Sequence, residues 1–430
     1  MRRLHSLLLS IECTLLLMGQ FGRISIRGAG SFYALEVVMA IHTVIAVGSV
    51  MYQRKRAIKA VLQDMLARPT SRLALWWLGF VTTVWLLTTP YSPPRDNLVA
   101  FLYIFRIAAL GAYAYFVMPQ ITKAQALSCI RILALLVPFI AILQYTLLPD
   151  LRFLAAYGWD PHMYRAVGTI FDPPLIGSLF GMLLMWSIVH MSARQSRGEW
   201  WRTWSTMIVL YVATIFLFSR STYLAVLFSV LAFLIKRKKW ALSAVWVILF
   251  ALSVVIAPLT IPSYSTLESA KIIRTSTVSS RSIEIKNGLI AFINHPVWGI
   301  GYNRVLTYKN TIHNRESAKN PQRNVQTMTK ENTKVNGNDS LVRPDGLNQQ
   351  SHAASAFHSY WVTQIATTGL IGMSILVAFF LYLIKKTPIF GYILYIPAFI
   401  GLFDNTLFHP FVILTLTYIL RSFDYRKESK

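Results

Sequence analysis

The sequence predicts an all-α polytopic membrane protein with about twelve transmembrane helices and one large external loop. The chain has 430 residues, 55% of them are hydrophobic, and its mean hydropathy is +0.48. That proportion is too high for a soluble protein of this length, so the apolar surface has to be buried in a bilayer. Apolar segments also recur along the chain, and clusters of Lys and Arg stand in the short loops between them.

Twelve apolar segments are the predicted membrane spans. The first follows Arg2 and Arg3 and superficially resembles a signal peptide, but no small-x-small cleavage pattern precedes Gly19. We therefore expect it to remain as a span. The neighbouring segments 205–219 and 222–235 are shorter than the roughly 20 residues that cross hydrocarbon. In chain order the predicted spans are 5–20, 32–52, 73–90, 97–118, 127–148, 169–190, 205–219, 222–235, 240–261, 359–384, 388–405 and 409–421.

Part of the net charge of +25 comes from Lys and Arg in short loops. Their positions indicate how the chain is oriented in the membrane. With the amino terminus in the cytoplasm, every basic cluster in a short loop falls on the cytoplasmic side, as the positive-inside rule requires. Both termini are then cytoplasmic, and the clusters give no reason to expect nucleic-acid binding. They are 54–56 with Lys59, 236–239, 385–386 and 426–427.

The second source of charge is the predicted external loop, residues 262–357, which carries twelve Lys and Arg against six Asp and Glu. It separates nine spans in residues 1–261 from three spans and a cytoplasmic tail in residues 358–430. Its first part predicts an amphipathic helix, because Ile285, Leu289 and Phe292 recur at helical spacing. Pro296 should end that helix, and a tight turn should follow at Gly299–Gly301. Residues 305–355 are rich in Asn, Gln, Thr and Lys, and we expect a flexible insert.

Two arginines on the predicted outer face are candidate anion-binding residues. Arg220 stands between the two short spans, where an arginine costs about 3 kcal/mol at bilayer depth unless it snorkels or pairs. Arg281 lies at the start of the amphipathic helix, where a guanidinium can grip phosphate oxygens bidentately beside backbone donors. The alternatives are a snorkelling arginine among lipid headgroups at Arg220 and a solvated arginine near Glu284 at Arg281.

A histidine and a third arginine complete the set of candidate residues. His358 stands with Ser359 where the external loop enters a span, and a neutral imidazole can take a proton from an attacking hydroxyl. A lone histidine is more often structural, and its rivals here are His352, His295 and His409. Arg165 could face the same cavity. Asp172, which precedes two prolines, is interpreted as the N-cap of the sixth span.

Several other chemistries lack a sequence signal. No cluster of His, Asp and Glu has metal-ligand spacing, so no metal site is predicted. The nucleophile elbow G-x-S-x-G and a phosphate-binding P-loop are also missing from the sequence. Cys13 and Cys129 lie in or beside predicted spans, which argues against a disulfide framework. Any chemistry must then use arginines and a histidine, without a cofactor.

Four motifs in this order resemble the O-antigen ligase and O-antigen polymerase (Wzy-type) family over roughly residues 165–375. The most specific is H-S-x9-G-x-x-G, from His358 to Gly372. The others are R-x-x-G-T-x-F-x-P from Arg165 to Pro173, S-R-S around Arg220, and Arg281 ahead of P-x-x-G-x-G, which spans 296–301. Their common order on one predicted face carries the resemblance.

The resemblance implies a membrane glycosyltransferase with a GT-C-like helical architecture in the bacterial inner membrane. Such an enzyme takes a glycan from undecaprenyl diphosphate on the outer face and transfers it to an acceptor hydroxyl of a glycan or glycolipid, without a metal and with inversion. By resemblance, Arg220 and Arg281 bind the diphosphate, His358 activates the hydroxyl, and Arg165 is a possible accessory residue.

Two other functions compete with a ligase. A polymerase that joins lipid-linked repeat units shares the donor and the leaving group and differs only in its acceptor, which the sequence does not name. A lipid-linked oligosaccharide transporter is less favoured. It predicts charged residues inside spans and halves related by a repeat. This chain instead concentrates its charges at the predicted outer face and has no clear internal repeat.

Overall fold

The structure, a computed structural model, describes residues 2–26, 30–54, 58–157, 162–191, 196–261, 275–319 and 356–423. Each of the twelve predicted spans contains a helix, so the prediction of an all-α polytopic membrane protein is confirmed. In chain order the helices are α1 (Arg2–Met18), α2 (Ala34–Arg54), α3 (Ile58–Ala67), α4 (Pro69–Thr88), α5 (Pro94–Phe116), α6 (Lys123–Leu147), α7 (Pro173–Met191), α8 (Arg197–Phe216), α9 (Arg220–Lys236), α10 (Trp240–Ile256), α11 (Thr275–Asn294), α12 (Val305–Lys319), α13 (Tyr360–Lys386), α14 (Pro388–Ile400) and α15 (Pro410–Ser422).

Eight helices among the described residues are long and apolar enough to cross a membrane by length and composition alone. They are α1, α2, α4, α5, α6, α7, α10 and α13. The other four predicted spans do not meet both criteria. Helices α14 and α15 have only 13 residues each, which corresponds to about 20 Å of rise and is less than the hydrocarbon thickness of about 30 Å.

Three elements differ from the sequence prediction. Residues 23–33 contain a two-stranded antiparallel hairpin, β1 (Arg23–Ile26) and β2 (Gly30–Tyr33), where only a loop was expected. Helix α3 lies in the loop between the second and third predicted spans, where the sequence predicted a cluster of basic residues and no helix. Helix α12 begins the region that was expected to be a flexible insert, so that prediction is wrong for residues 305–319. Residues 320–355 lie outside the described part of the chain.

Helix α7 lies at the centre of the bundle, since 78% of its apolar window is buried. Two glycines on this helix, Gly177 and Gly181, form a G-x-x-x-G pair that lets neighbouring helices approach closely. A Cβ on Gly177 would overlap the hydroxyl of Thr222 in α9, and one on Gly181 would lie 2.7 Å from Ile396 in α14. Helices α9 and α14 are therefore packed on α7 with almost no intervening side chain.

The turn formed by residues 296–301 is joined to α13 through a break in that helix at Gly369. The backbone of Gly369 has φ 62° and ψ −165°, which ends the regular hydrogen-bond ladder. The amides of Leu370 and Ile371 donate to Pro296 and Val297 at 2.8 and 3.4 Å, rather than to residues four positions earlier in α13.

The turn also donates hydrogen bonds back to α13. The carbonyls of Ala366 and Thr367, which the break leaves without helical partners, accept from the amides of Ile300 and Gly301 at 2.8 and 3.0 Å. Helix α11 ends at Asn294, two residues before Pro296, and Gly301 has φ +79°. The predicted helix end and glycine turn are confirmed. The glycines of P-x-x-G-x-G and of H-S-x9-G-x-x-G are parts of one interlocked structure.

Candidate active site

His358 lies immediately before α13, at the boundary predicted from the sequence. Ser359 is the N-cap of this helix, and its hydroxyl accepts from the amide of Val362 at 3.3 Å. The same hydroxyl donates to the carbonyl of Gly401 at 3.2 Å, and the amide of Tyr360 donates to that carbonyl at 2.8 Å. The start of α13 is therefore fixed to the segment that follows α14.

The backbone on the other side of His358 is also held in place. Phe357 is fully buried, and its amide donates to the hydroxyl of Thr363 at 3.0 Å. Its carbonyl accepts from the side-chain amide of Asn405. The imidazole of His358 is half-buried, and no described residue is hydrogen-bonded to it. The ring thus projects from a rigid backbone and retains both nitrogens for a substrate.

Arg281 is paired with Asp404, a residue that the sequence analysis did not single out. One guanidinium nitrogen lies 3.1 Å from a carboxylate oxygen, and the two side chains are 31% and 23% exposed. Asp404 is the neighbour of Asn405, which binds the carbonyl preceding His358. The dipeptide Asp404–Asn405 therefore links Arg281 to His358 through one polar contact on each side.

The signal for Asp404 was present in the sequence. It is an acidic residue within the predicted span 388–405, and an ionisable residue at membrane depth is a functional candidate by default. It was overlooked because the mean hydropathy of residues 388–405 is high despite this single carboxylate. In the structure α14 ends at Ile400, and residues 401–409 form a connection to α15.

Arg220 is placed at the same end of the bundle by the packing of α9. This helix runs antiparallel to α14, because Ser229 donates to the carbonyl of Tyr392 at 2.6 Å and the rings of Phe228 and Phe399 are 5.9 Å apart. Arg220, two turns before Phe228, is thus level with the segment that follows Ile400.

Contacts around α7 give the same placement for Arg220. Thr222 lies against Gly177, and the neighbouring Ser178 donates to the hydroxyl of Thr406 at 3.4 Å. Arg220 is the first residue of α9, with Ser219 as N-cap, and it interacts with its surroundings in the structure. The start of α9, which carries Arg220, therefore lies at the same end of the bundle as the segment 401–406, which contacts Arg281 and the residue before His358.

Arg165 belongs to a loop that packs against the junction of α8 and α9. The amide of Ala166 donates to the carbonyl of Phe216 at 3.0 Å, and Arg165 acts electrostatically on Tyr223 in the first turn of α9. Asp172 caps α7, since its side chain accepts from the amide of Leu175 at 3.1 Å. The predicted capping role is confirmed, and Arg165 lies next to the helix that begins with Arg220.

The rival histidines have other surroundings. His409 is the N-cap of α15, where its Nδ1 accepts from the amide of Phe411 at 3.4 Å, and its ring packs edge-on against Tyr33. His295 is exposed after the end of α11. His352 lies outside the described residues. Of the candidate histidines that the structure describes, His358 is the one whose backbone is linked through Asn405 to the Arg281–Asp404 ion pair.

The segment after the glycine turn is fixed to the end of α4 and the start of α5. Asn303, only 1% exposed, accepts from the hydroxyl of Thr88 at 2.7 Å and donates to Asn97 at 2.8 Å. Tyr302 donates to Gln364 in the first turns of α13. Burial raises the pKa of the Tyr302 phenol well above its ordinary value, so it keeps its proton for that bond.

Lys309 on α12 connects the two sides of the site. Its ammonium lies 2.6 Å from Glu284, one turn after Arg281 on α11, and 2.7 Å from the carbonyl of Ala356. It also sits 5.3 Å from the centre of the Phe357 ring. Helix α12 was not predicted, yet through this side chain it positions both the helix that carries Arg281 and the residue preceding His358.

We expect Lys309→Met to lower activity at this site by about tenfold to a hundredfold, because small misplacements of catalytic groups have effects of that size. Methionine preserves most of the length of the side chain and removes the charge. The measurement is activity normalised to the amount of protein in the membrane. Lys286→Met, on the exposed side of α11, is the matched control. Equal activity of the two variants would refute a positioning role for Lys309.

Among the described residues, no group of three or more His, Cys, Asp or Glu could hold a metal ion. The positive charge near His358 comes from guanidinium and ammonium groups. Arg220 and Arg281 suit a phosphorylated ligand, because a planar guanidinium can bind two oxygens at once.

Residues 205–377 of the chain match the family model described as O-antigen ligase. The matched region is less than half of the chain. It begins within α8, ends within α13, and includes Arg220, Arg281, Lys309 and His358. Arg165, Asp404 and the helices before α8 lie outside it. A comparison with curated proteins finds no match to this chain.

Proposed function

We propose that this chain, which belongs to the O-antigen ligase family through residues 205–377, transfers a glycan from undecaprenyl diphosphate to an acceptor hydroxyl on the outer face of the bacterial inner membrane. The observation that supports the proposal is that Asp404–Asn405 contacts both Arg281 and the backbone before His358, at the end of the bundle where α9 begins with Arg220. These residues are far apart in the sequence and come from three different helices or helix ends.

In the proposed reaction His358 accepts the proton of the acceptor hydroxyl as its oxygen attacks the anomeric carbon of the donor sugar. The new bond is carbon to acceptor oxygen, and the bond that breaks joins the anomeric carbon to the phosphate oxygen. Undecaprenyl diphosphate leaves with that electron pair. Attack from the opposite face inverts the anomeric centre. The step needs no metal, because guanidinium groups can stabilise the departing charge.

Asp404 supports this mechanism by orienting Arg281. Its carboxylate holds one edge of the guanidinium and leaves the remaining N–H groups for phosphate oxygens. Asn405 holds the carbonyl of Phe357, so the arginine and the general base keep a fixed separation. Preorganised groups of this kind lower the barrier because they need no reorientation as charge develops on the leaving group.

Arg220→Lys is expected to reduce transfer about tenfold or more, because an ammonium cannot form the bidentate fork that a guanidinium makes with phosphate. Initial rates at saturating acceptor are the measurement. Arg237→Lys, at the opposite end of α9, serves as the control and should retain full activity. Wild-type rates for Arg220→Lys would mean that Arg220 contributes no more than a point charge.

A strain lacking the chain separates a ligase from a polymerase. A ligase predicts loss of all polymer from the acceptor and accumulation of long lipid-linked chains. A polymerase predicts a single repeat unit on the acceptor. Unchanged glycans on both the lipid and the acceptor would contradict both forms of the proposal. The basic character of residues 262–357 favours an anionic glycan or acceptor in either case.

A further inference from the structure

A second group of ionisable side chains lies inside the helical bundle, and the proposed reaction does not use it. Glu12, in the middle of α1, is fully buried. Its carboxylate lies 2.8 Å from Nδ1 of His42 in α2, which is also fully buried. The sequence analysis assigned the charges of this chain to the outer face and the loops, and Glu12 is a correction to that interpretation.

Two tyrosines complete the surroundings of the Glu12 carboxylate. Tyr113 in α5 donates to its second oxygen at 2.6 Å, and Tyr418 in α15 donates to the same oxygen at 3.0 Å. Together with His42, three donors from three helices surround the carboxylate. Hydrogen bonds donated to a carboxylate favour its ionised form. A lone buried carboxylate is costly, whereas an adjacent imidazolium compensates it.

An imidazolium at His42, with a proton on each ring nitrogen, fits these contacts. Nδ1–H donates to Glu12, and Nε2–H faces Nδ1 of His5 at 2.9 Å. With this assignment the Glu12–His42 pair is neutral overall and holds one proton more than a carboxylate with a neutral imidazole. His5 then carries its single proton on Nε2.

His5 is the end of this polar chain. It lies in the first turns of α1 and is only 6% exposed, and its Nε2 is buried without a hydrogen-bond partner among the described residues. A buried, unsatisfied ring nitrogen next to a helix end is a position where water can deliver or remove a proton. The chain Glu12–His42–His5 thus leads from mid-helix to the side of the membrane where α1 begins.

In the described part of the chain, no further carboxylate or histidine is hydrogen-bonded to Glu12 on the side away from His42. Its other titratable neighbours are Tyr113, Tyr418 and Cys13, and Cys13 in turn lies against Cys129. The positive charge of the amino terminus also acts on His5. The next buried polar group towards the other end of α1 is Gln20, about two turns away. The geometry suits a site that binds a proton and does not suit a path across the membrane.

We propose that Glu12, His42 and His5 form an intramembrane proton-binding site, separate from the proposed transfer site. The proton resides on His42, exchanges through His5 with the side of the membrane where α1 begins, and neutralises Glu12. Because Tyr418 and Tyr113 bind the same carboxylate, this proton maintains the contact of α15 and α5 with α1 and α2. Its removal leaves an uncompensated carboxylate between four helices.

Nitrogen-15 NMR of histidine-labelled full-length protein in lipid bilayers tests the proposal at about pH 8.5, where an exposed imidazole is neutral. We expect one imidazolium signal to persist in the wild type. It should disappear in His42→Gln, and it should become a neutral-imidazole signal in Glu12→Gln. His295→Gln, at the exposed end of α11, should remove one neutral signal and leave the imidazolium unchanged.

Tyr418→Phe covers the case in which the core variants do not fold. It removes one donor to Glu12 and keeps the ring, so it should shift the imidazolium signal without abolishing it. The proposal is overturned if the wild type has only neutral histidines at this pH, or if the imidazolium signal of Tyr418→Phe has the same chemical shift as that of the wild type. An imidazolium that survives Glu12→Gln also overturns it. None of these readouts depends on glycan transfer.

Discussion

Replacing His358 by alanine is expected to reduce glycan transfer by about 10²- to 10⁴-fold, the range that a positioned general base contributes. The protein should still be present in the membrane in normal amounts. The backbone at this position is held by Ser359, Thr363 and Asn405, and no described residue is hydrogen-bonded to the ring itself. Loss of the imidazole should therefore affect the reaction and leave the fold intact.

Transfer by membranes that contain equal amounts of each variant provides the measurement. His352→Ala and His409→Ala are informative comparisons because both residues competed with His358 on sequence grounds. His352→Ala should retain activity. His409→Ala removes the N-cap of α15 and should lower stability by about 1 kcal/mol. Substantial transfer by His358→Ala would refute its role as the base.

Gly369→Ala is expected to disrupt the junction between α13 and the turn 296–301, with loss of most transfer activity. The backbone conformation at Gly369, with φ 62° and ψ −165°, belongs to a region that is essentially restricted to glycine and costs other residues roughly 1–3 kcal/mol. A Cβ would also overlap the carbonyl of Val297. The four exchanged hydrogen bonds that hold residues 296–301 to α13 cannot then keep their geometry.

Thermal unfolding of the purified protein in detergent, together with transfer activity, measures this effect. Gly111→Ala is the matched control, because Gly111 lies within α5 and nothing stands within 4 Å of the position of an added Cβ. Alanine there improves helix propensity by about 1 kcal/mol. A midpoint for Gly369→Ala equal to that of Gly111→Ala would contradict the interlocked arrangement.

Local patterns in the sequence were sufficient to predict most helices and the boundary at His358. Apolar length identified the spans, Ser359 marked the start of α13, and the Asp172–Pro173 pair marked the start of α7. Pro296 and the glycines that follow it predicted the end of α11 and its turn. In each case a signal within a few residues determines the structure.

The remaining features depend on contacts between distant residues, and sequence patterns could not predict them. Helix α12 has low apolar content, and docking of Asn303 and Lys309 onto distant segments fixes its beginning. Asp404 became meaningful only when the structure placed it beside Arg281, 123 positions earlier in the chain. Glu12 lies in a segment whose mean hydropathy is high despite this one acidic residue, and its hydrogen-bond partners come from α2, α5 and α15.

Purified protein in vesicles that contain lipid-linked glycan extracted from its own host, together with the matching acceptor, provides the decisive test of glycan transfer. We expect the glycan to become attached to the acceptor while undecaprenyl diphosphate is released in equal amount. The new glycosidic bond should have the opposite anomeric configuration to the donor. Intact donor that only changes leaflets, with no released undecaprenyl diphosphate, would refute transfer and identify a transporter.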